Sequence, residues 1–490
     1  MKIKELVDLL KENDLIKRYV QGNDFNISGV EIDSRKIKED FIYIAIKGFV
    51  SDGHSYINSA LKKGAKLIVC ERIPGDINDD ISYIEVDNSR KTEAVIANWF
   101  YDFPTNKLDV IAITGTNGKT STTYILESLL GQAGIKTGII GTIGYKIGDN
   151  LTPLDNTTPD SLELMQILKK MNEASVKVVI MEVSSHALSL YRVYGLNFNI
   201  VVFTNLTQDH LDFHTDMEDY YNAKKLLFTE YLDYSNKEDK KNLINTDDKY
   251  GEKLFNELSG EKYSMSVNSK NTDFFLNNYN LQIDKTKLDV NDNDKFNIET
   301  KLIGEYNLYN ILTAISVAKL YNVSNSNIKK ALSVIEQIPG RLQQVAGKPI
   351  FIDYAHTPDA VEKVTETLKQ LIEGKLITVL GAGGDRDKGK RPLMALAGMK
   401  NSDFLILTSD NPRTENPEMI LDDLEAPLIK NNQGPFYARI VNRSNAIKRA
   451  IEMLEEGDAL VICGKGHEDY QIIGNEKTHF SDYEEVLTWI

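Results

Sequence analysis

The sequence VIAITGTNGKTST at residues 110–122 decides which class of fold to expect. Its apolar, β-branched start at 110–114 is typical of a buried strand, and a helical pattern runs from about Ser121 to Gln132. Between them, the loop GTNGKT offers backbone N–H groups, a lysine and a hydroxyl, which together can hold phosphate oxygens and Mg²⁺. Because Ile113 stands where the full phosphate-loop pattern has its first glycine, we interpret the loop as a shortened variant.

Further apolar runs lie on both sides of this stretch, with helical patterns between them. Runs that are apolar on both faces and alternate with helices are typical of parallel sheets covered on each side. The sequence therefore predicts an α/β protein. The runs are 41–46, 66–70, 177–183, 200–204, 349–353, 376–380, 404–408 and 459–463.

The length of 490 residues predicts roughly three domains. YDFPTNK at 101–107 has the composition of a linker, and IPGR at 338–341 ends a helical pattern. The stretch at 232–300 is rich in Asn, Asp and Lys, which indicates a solvated, loop-rich region rather than a core. The two breaks predict segments at 1–105, 106–337 and 338–490.

The composition disfavours several classes of protein. With 57 basic and 72 acidic residues, the formal charge of −15 repels nucleic acid and anionic lipid, although a local cluster of cations can still bind a small anion. No apolar run approaches the roughly 20 residues of a membrane helix, and the first 13 residues lack the apolar core of a signal peptide. Cys70 and Cys463 are too few for a disulfide framework. We therefore expect a cytoplasmic protein with no nucleic-acid partner and no membrane insertion.

A carboxylate and an imidazole follow two of the apolar runs. Glu182 lies at the end of the run at 177–183, and His210 follows the run at 200–204. Because parallel strands end at the same edge of a sheet, both side chains can lie beside the phosphate loop. Together with the hydroxyl of Thr120, they indicate a metal and phosphate site. Taken singly, His210 could equally be an ordinary loop histidine, and Glu182 a surface carboxylate.

Several longer motifs occur in a fixed order along nearly the whole chain, and together they resemble the Mur ligase family. These enzymes are ATP-dependent, amide-forming ligases of peptidoglycan precursor synthesis, and the likeness is strongest to the members that add the third residue of the peptide. The motifs are DSR at 33–35, GTNGKTST at 115–122, EVSSHAL at 182–188, FTNLTQDHLDFH at 203–214, YNAKKLLF at 221–228, GEYNLYN at 304–310, DYAHTPD at 353–359 and GGDRDKGKRPLM at 383–394.

The resemblance implies a role for each segment and for individual residues. The N-terminal α/β segment would bind the UDP-sugar, the central segment would be an ATPase domain with a parallel-rich sheet, and the Rossmann-like C-terminal segment would bind the amino acid. The implied ATP site comprises Gly115, Thr116, Asn117, Gly118, Lys119, Thr120, Ser121, Asn307, Asn310, Arg341, Asp353 and His356. The UDP-muramoyl dipeptide would contact Ser34, Thr157, Thr158, Ser184 and Arg192. The implied catalytic residues are Lys119, Glu182, His210 and Lys224.

Lys224 matches a lysine that members of the family carry as a carbamate. A bare ammonium is repelled by Mg²⁺, whereas its CO₂ adduct is an anionic oxygen ligand suited to a hard cation. Without the resemblance, Lys224 would be interpreted as a solvated helix residue. The implied metal site comprises Thr120, Glu182, His210 and carbamylated Lys224.

The reaction implied by the resemblance has two steps. The D-glutamyl γ-carboxylate takes the γ-phosphoryl group of ATP, with Mg²⁺ and Lys119 stabilising the charge on the transferred oxygens. An amine then attacks the acyl phosphate, forming the amide and releasing phosphate. Because three substrates must meet at one point, domain closure that excludes water is expected.

DNPR at 410–413 bears on which amino acid is added. meso-Diaminopimelate has a carboxylate at its far end that L-lysine lacks, and a guanidinium binds a carboxylate through two hydrogen bonds. Arg413 therefore favours diaminopimelate, and Glu468 could pair with its distal ammonium. The implied diaminopimelate site comprises Arg386, Asp410, Asn411, Pro412, Arg413, Gly464 and Glu468.

Three alternatives remain at this point. An L-lysine-adding ligase is the nearest, a folylpolyglutamate synthetase would lack the combination of DSR, EVSSHAL and DNPR, and a non-catalytic nucleotide-binding protein would not need Lys119, Glu182 and Lys224. We expect a monomer.

Overall fold

The computed structural model describes residues 1–49, 51–211, 213–291, 296–335, 337–432 and 436–490, so Asp212 of the motif at 203–214 lies outside the described residues. Sheets of five, eleven and six strands follow one another along the chain, with one small hairpin near the C-terminal end. The parallel strands predominate in each of the three large sheets. The predicted α/β class with parallel-rich sheets is confirmed.

The first sheet is parallel except for its first edge strand. Its spatial order is Arg18–Val20, Ser82–Glu85, Ala65–Cys70, Phe41–Ile44 and Gly29–Glu31. The helix Ile3–Glu12 buries Ile3, Leu6, Val7 and Leu10, whose three- and four-residue spacing forms one apolar stripe. The other helices of this region are Gly53–Tyr56, Ile57–Lys62 and Ser89–Phe100, of which the first is a 3₁₀ helix.

The eleven-stranded sheet has parallel strands in the middle and antiparallel strands at both edges. Asp109–Thr114 lies between Val178–Glu182 and Ile200–Phe203, with Glu182 opposite Ile113 and Phe203 opposite Thr114. The segments after these three strands therefore begin side by side. The spatial order is Phe296–Thr300, Thr286–Asn291, Phe274–Leu281, Lys262–Ser266, Lys241–Asn245, Ile200–Phe203, Asp109–Thr114, Val178–Glu182, Thr137–Gly141, Gly144–Ile147 and Asn150–Thr152.

Helices cover this sheet, and the helix Lys119–Gln132 starts directly after the glycine loop. The second half of this helix, from Ile125 to Leu130, and the apolar residues of Glu305–Leu320 pack in the same apolar cluster as the central strands. The helices of the region are Lys119–Gln132, Ser161–Glu173, Ser185–Ser189, Met217–Lys225, Glu230–Tyr234, Lys249–Glu257, Glu305–Leu320 and Asn325–Val334, with 3₁₀ helices at Pro104–Asn106 and Leu226–Phe228.

The expectation that residues 232–300 form a solvated, loop-rich region is wrong. Five strands of the large sheet lie there. Along Thr286–Asn291, the buried residues Thr286, Leu288 and Val290 alternate with more exposed polar ones. The polar composition arises because these strands have one face in contact with solvent. Their alternation of apolar and polar residues indicates strands, whereas the overall composition does not.

The third sheet is parallel except for the edge strand Gln343–Gln344. One strand ends at Asp353, the first residue of the motif DYAHTPD, and two others end immediately before GGDRDKGK and DNPR. These loops therefore share one edge of the sheet. The spatial order is Gln343–Gln344, Ile350–Asp353, Ala459–Cys463, Leu376–Ala382, Phe404–Ser409 and Tyr437–Arg439. The helices are Pro358–Leu371, Lys390–Asn401, Pro417–Lys430, Arg443–Glu452 and Asp482–Trp489, and the hairpin pairs Tyr470–Ile473 with Glu476–His479.

The connection at 101–107 is packed against the central sheet rather than loose. Thr105 is fully buried, and its hydroxyl accepts a hydrogen bond from the backbone N–H of Asn197. The domain boundaries at 105 and 337 stay predictions. Within the described ranges, no helix combines the length and the apolar character needed to cross a bilayer.

Candidate active site

One cleft of about 1470 Å³ lies where loops of the central and C-terminal sheets face each other. It brings together most of the residues predicted from the sequence. Those that line it are Thr116, Asn117, Gly118, Lys119, Thr120, Ser121, Thr157, Glu182, Ser184, Arg192, His210, Asn310, Arg341, Asp353, His356, Arg386, Asp410, Asn411, Arg413, Gly464 and Glu468. Those that do not line it are Ser34, Gly115, Thr158, Lys224, Asn307 and Pro412.

The glycine loop needs glycine at both of its ends. Gly118 has a φ of 87°, and a Cβ there would lie 2.4 Å from Oδ1 of Asn310. Gly115 has a φ of 150°, and a Cβ there would lie 1.9 Å from Oγ1 of Thr204. Both positions combine a left-handed backbone with a close neighbour, so a side chain would displace the loop.

The loop is also held by hydrogen bonds. Nζ of Lys119 donates to the carbonyl oxygens of Gly115 at 2.9 Å and Thr116 at 2.8 Å. The backbone N–H of Asn117 donates to Oδ1 of Asn205 at 2.9 Å, and the carbonyl oxygen of Asn117 accepts from Oγ1 of Thr204 at 2.7 Å. The loop therefore keeps its lysine folded over it, beside the N-terminus of a helix, which is the arrangement that binds phosphate.

Thr120 and Glu182 form the hard-oxygen part of the site. Oγ1 of Thr120 donates to Oε2 of Glu182 at 3.0 Å. Glu182 is 1% exposed and also accepts hydrogen bonds from the backbone N–H and the hydroxyl of Thr142, each at 3.0 Å. All three donors are neutral, and no cationic side chain pairs with Glu182 among the described residues. A buried carboxylate without a counter-ion, next to a hydroxyl, fits a bound Mg²⁺.

His210 lies in the same cleft, but the described hydrogen bonds do not join it to Thr120 or Glu182. Its backbone is left-handed, with a φ of 55°, and its Nε2 lies 3.5 Å from Oδ2 of Asp209. Partial burial lowers the pKa of His210 to about 4. The ring is therefore neutral at pH 7, which is the form that can coordinate a metal.

Lys224 is buried, at 1% exposure, and is not the solvated residue that its sequence context alone would indicate. Its Nζ donates to the carbonyl oxygen of Gly115 at 2.9 Å and lies 4.7 Å from the ring centroid of Tyr220. Burial and the neighbouring Lys119 lower the pKa of Lys224 well below its usual value. The amine is thus pushed toward its neutral, nucleophilic form beside the phosphate loop.

The C-terminal segment reaches the phosphate loop directly. Nη2 of Arg341 donates to Oγ1 of Thr120 at 3.3 Å, and its guanidinium lies 4.8 Å from the ring centroid of Tyr354. Oδ2 of Asp359 accepts from Nδ2 of Asn117 at 3.2 Å and from Oγ1 of Thr207 at 3.3 Å. The cleft is therefore bridged at its phosphate-loop end.

The other residues predicted for ATP lie around this bridge. Asp353 accepts from the backbone N–H groups of Leu342 at 2.7 Å and Ala355 at 2.9 Å, and burial raises the pKa of its carboxyl to about 6. Nδ1 of His356 donates to the carbonyl oxygen of Tyr354 at 2.8 Å, which leaves Nε2 as an acceptor. Nδ2 of Asn310 donates to Oδ1 of Asn307 at 2.9 Å, so Asn307 acts behind the cleft wall.

Four residues predicted for the dipeptide are linked to Glu182 directly or through Thr142 and Thr158, whereas Ser34, on the segment after the strand Gly29–Glu31, does not line the cleft. Oγ1 of Thr158 donates to the carbonyl oxygen of Glu182 at 2.9 Å and accepts from the N–H of Ser184 at 3.1 Å. Nη1 of Arg192 donates to the carbonyl oxygen of Thr158 at 2.8 Å. Oγ1 of Thr157 lies 3.2 Å from the hydroxyl of Thr142.

Residues of DNPR form the opposite end of the cleft. Arg413 has a φ of 52°, and its Nη1 donates to the carbonyl oxygen of Gly384 at 2.9 Å. Nδ2 of Asn411 donates to Oε2 of Glu468 at 2.8 Å. A Cβ at Gly464 would lie 2.4 Å from Oδ2 of Asp410, so only glycine fits against that carboxylate.

The guanidinium of Arg386 is exposed and donates to the carbonyl oxygen of Asp385 at 3.1 Å. Pro412 does not line the cleft, but its backbone packs against Gly384 of the neighbouring loop. A Cβ at Gly384 would lie 1.8 Å from the carbonyl oxygen of Pro412. The two loops therefore pack closely at this end.

Several residues that build the site were missed by sequence reasoning. Thr142 contacts Glu182 and Asp359 contacts Asn117. These partners are far apart in sequence, so no local sequence pattern predicts the contacts. Arg391 is 1% exposed and forms an ion pair with Glu415 at 2.8 Å, joining the loop at 383–391 to the loop at 410–415. Lys465 is fully buried behind Glu468, and its position directly after Gly464 was a usable signal.

The chain was compared with known proteins. Residues 113–318 match the Mur ligase middle domain, residues 340–466 the Mur ligase glutamate ligase domain, and residues 26–100 the Mur ligase family catalytic domain. The UDP-N-acetylmuramoyl-L-alanyl-D-glutamate--2,6-diaminopimelate ligase of Clostridium botulinum is 40% identical over 96% of this chain and 96% of its own length. The ligase of the same name from Fusobacterium nucleatum is 42% identical over 97% of this chain and 95% of its own length.

A solved structure of a ligase with this name is 30% identical, covers 94% of each chain and has a TM-score of 0.67. The matched domains extend over all three sheets, and the relatives match nearly end to end. The chain belongs to the Mur ligase family.

Proposed function

We propose that the chain is an ATP-dependent ligase that joins meso-2,6-diaminopimelate to the D-glutamyl γ-carboxylate of UDP-N-acetylmuramoyl-L-alanyl-D-glutamate, in peptidoglycan precursor synthesis. Relatives with that name, at 40–42% identity over nearly the full length, support it. The observation that carries the proposal is one cleft with a phosphate loop and the Thr120–Glu182 pair at one end and Arg413 at the other. A phosphoryl donor and a carboxylate-bearing amine can meet there.

In the first step, the γ-carboxylate attacks the γ-phosphorus of ATP, and ADP leaves. Lys119 lies over the loop, so its charge is available to the transferred phosphoryl oxygens once a nucleotide replaces the loop carbonyls as its partner. Mg²⁺, when held by Thr120, Glu182, His210 and carbamylated Lys224, would supply further positive charge to the phosphate oxygens. Arg341 reaches the same hydroxyl from the C-terminal segment and keeps the cleft bridged.

In the second step, the neutral amine of diaminopimelate attacks the acyl phosphate carbon, and phosphate leaves. The amine must lose a proton for this attack. Arg413 would hold the distal carboxylate, which fixes the distance between that end and the reacting amine. The described residues give Nε and Nη2 of Arg413 no hydrogen-bond partner, so both donors are available at the cleft.

A carbamate on Lys224 is part of the proposal. The neutral amine attacks CO₂, a C–N bond forms and one proton is released, which converts a buried neutral amine into an anion beside Gly115. The buried, depressed-pKa amine supports this reaction. Intact-protein mass spectrometry at high bicarbonate should show one added CO₂, absent from Lys224→Arg. An unmodified protein that is fully active would contradict this part of the proposal.

Each alternative function leaves some residues of the cleft without a role. An L-lysine-adding ligase would leave Arg413 without a carboxylate partner, a costly arrangement for a partly buried guanidinium. A folylpolyglutamate synthetase would not need DNPR, and a non-catalytic protein would not need a buried carboxylate with no counter-ion. None of these accounts for both ends of the cleft.

The proposed location is the cytoplasm, since Cys70 and Cys463 are both free thiols. We infer a monomer, because residues of one chain line both ends of the cleft.

The experiment that tests the function measures phosphate release with ATP, UDP-muramoyl dipeptide and either meso-diaminopimelate or L-lysine. We expect strong preference for diaminopimelate in the wild-type protein and loss of that preference in Arg413→Ala. Arg449→Ala is the matched control, because Arg449 is an exposed arginine whose ion-pair partner, within the part of the chain that the structure describes, is Glu452 at 3.9 Å. Equal or better use of L-lysine by the wild-type protein would contradict the proposal.

A further inference from the structure

A buried lysine lies behind the wall of the cleft at its DNPR end. Lys465 has no exposed surface, and its Nζ lies 3.2 Å from Oε2 of Glu468 and 3.4 Å from Oδ1 of Asn411. It also donates to the carbonyl oxygen of Tyr470. Glu468 and Asn411 line the cleft, whereas Lys465 does not. Lys465 can therefore act on a bound molecule only through its charge and through the residues it holds.

The charged groups at this end nearly cancel. Arg413 and Lys465 are cationic, and Asp410 and Glu468 are anionic. Lys465 is the only cation that forms an ion pair with Glu468 among the described residues.

Three further cations lie near this end, and one of them, Arg391, is paired with Glu415 at 2.8 Å. Arg443 interacts electrostatically with Asp410, but its guanidinium is paired with Asp482 at 2.7 Å, and both of those side chains are fully buried. Arg386 is exposed, where solvent screens its charge.

We propose that Lys465 is a positioning residue that makes this end of the cleft neutral and so selects a zwitterionic far end, with one ammonium and one carboxylate, over a far end that carries only an ammonium. The inference rests on the proposed function and deepens it. Without Lys465, two carboxylates would face one guanidinium, and the net negative charge would favour a lone ammonium. The added ammonium would keep Glu468 ionised by pairing with it.

The test compares kcat/KM for phosphate release with meso-diaminopimelate and with L-lysine, at saturating ATP and UDP-muramoyl dipeptide. In Lys465→Met, the ratio of the two values should fall about tenfold, because one unit charge near the site has been removed. Lys465→Arg keeps the charge and should keep most of the preference. The control is Lys375→Met, which removes an exposed lysine paired with Glu455 at 3.4 Å and should leave the ratio unchanged.

Glu468→Gln is an independent test variant. Its side chain keeps the shape of glutamate, and the change in charge is opposite to that in Lys465→Met. It removes a negative charge, and both amino acids lose Glu468 as the partner of their ammonium. Because only diaminopimelate keeps a carboxylate on Arg413, the ratio should rise. Thermal melting establishes that each variant is folded. If Lys465→Met does not fold, a Glu468→Gln ratio at or below the wild-type ratio overturns the inference.

The outcomes separate this inference from the function on which it rests. A wild-type protein that prefers diaminopimelate, together with a folded Lys465→Met of unchanged ratio, overturns the inference alone. A wild-type protein without that preference overturns both.

Discussion

Arg341 lies close enough to Thr120 for its Nη2 to donate to the threonine hydroxyl at 3.3 Å, although 221 positions separate them in the chain. The same hydroxyl donates to Glu182. A residue of the C-terminal sheet region is thereby joined to the helix that begins at the phosphate loop and to the carboxylate at the end of a neighbouring strand. In the proposed function, this contact would couple phosphoryl transfer to the approach of the C-terminal segment.

Replacing Glu182 by Gln should reduce phosphate release by about a hundredfold or more. Glutamine keeps the shape of the side chain but removes the anionic oxygen that Thr120 bonds, so Mg²⁺ would be held poorly. The rate is measured with all three substrates over a range of Mg²⁺ concentrations. Glu299→Gln is the control, because Glu299 is exposed and, among the described residues, pairs with Lys285 and Lys287 on the neighbouring strand region. A Glu182→Gln protein with a wild-type rate and Mg²⁺ dependence would show that this carboxylate does not hold the metal.

Replacing Gly118 by Ala should weaken ATP binding and destabilise the protein more than the same change at Gly260. The two glycines have nearly the same φ, 87° and 89°, but a Cβ at Gly118 would lie 2.4 Å from Asn310 whereas one at Gly260 has no neighbour within 4 Å. The difference therefore isolates the clash from the backbone strain, which costs about 1 kcal/mol at each site. Urea unfolding and the KM for ATP measure the effect, and equal losses in the two variants would count against it.

Glu415→Gln should raise the KM for the amino acid about tenfold and leave the KM for ATP unchanged. Glu415 pairs with buried Arg391 and accepts the backbone N–H of Asp385, so it ties together the two loops that carry Arg386 and Arg413. The Arg391 guanidinium lowers the pKa of the Glu415 carboxyl to about 2, so the pair is ionised at assay pH. Initial rates at varied amino acid and varied ATP check this. Equal increases in both KM values would point to a general loss of structure.

Glu93 predicts a pH dependence of stability. It is 3% exposed, its Oε1 has no hydrogen-bond partner among the described residues, and burial raises the pKa of its carboxyl from 4.5 to about 8. Between those pH values the folded chain binds a proton that the unfolded chain has lost, so stability falls as pH rises. The loss is at most about 5 kcal/mol.

Glu93→Gln has no proton to lose, so its stability relative to wild type should increase from pH 5 to pH 8. Urea unfolding at several pH values measures the difference. A difference that stays constant with pH would contradict the assignment.

The phosphate loop could be predicted because its signal is local. A strand, two glycines, a lysine and a helix start are consecutive in sequence, and the structure keeps them consecutive at 109–132. The carboxylate at the end of the next parallel strand was predictable for a related reason, since parallel strands end at one edge. Most remaining site residues came from the resemblance to a family.

The contacts that hold the site together could not be predicted from the sequence. Thr142 meets Glu182 across 40 positions, and Asp359 meets Asn117 across 242. Burial of Lys224 was equally hidden, because a lysine next to another lysine on a polar helix is usually solvated. The prediction for residues 232–300 was wrong for a different reason. It considered the polar composition of the stretch but not the alternation of buried and exposed residues along its strands.

The most direct test of the proposed preference for diaminopimelate is a competition experiment. The protein receives ATP, UDP-muramoyl dipeptide and equal concentrations of meso-diaminopimelate and L-lysine, and the products are identified and quantified by mass spectrometry. We expect the diaminopimelate tripeptide to be the dominant product, and its excess over the L-lysine product to disappear in Arg413→Ala. A wild-type protein that yields mainly the L-lysine product would contradict it.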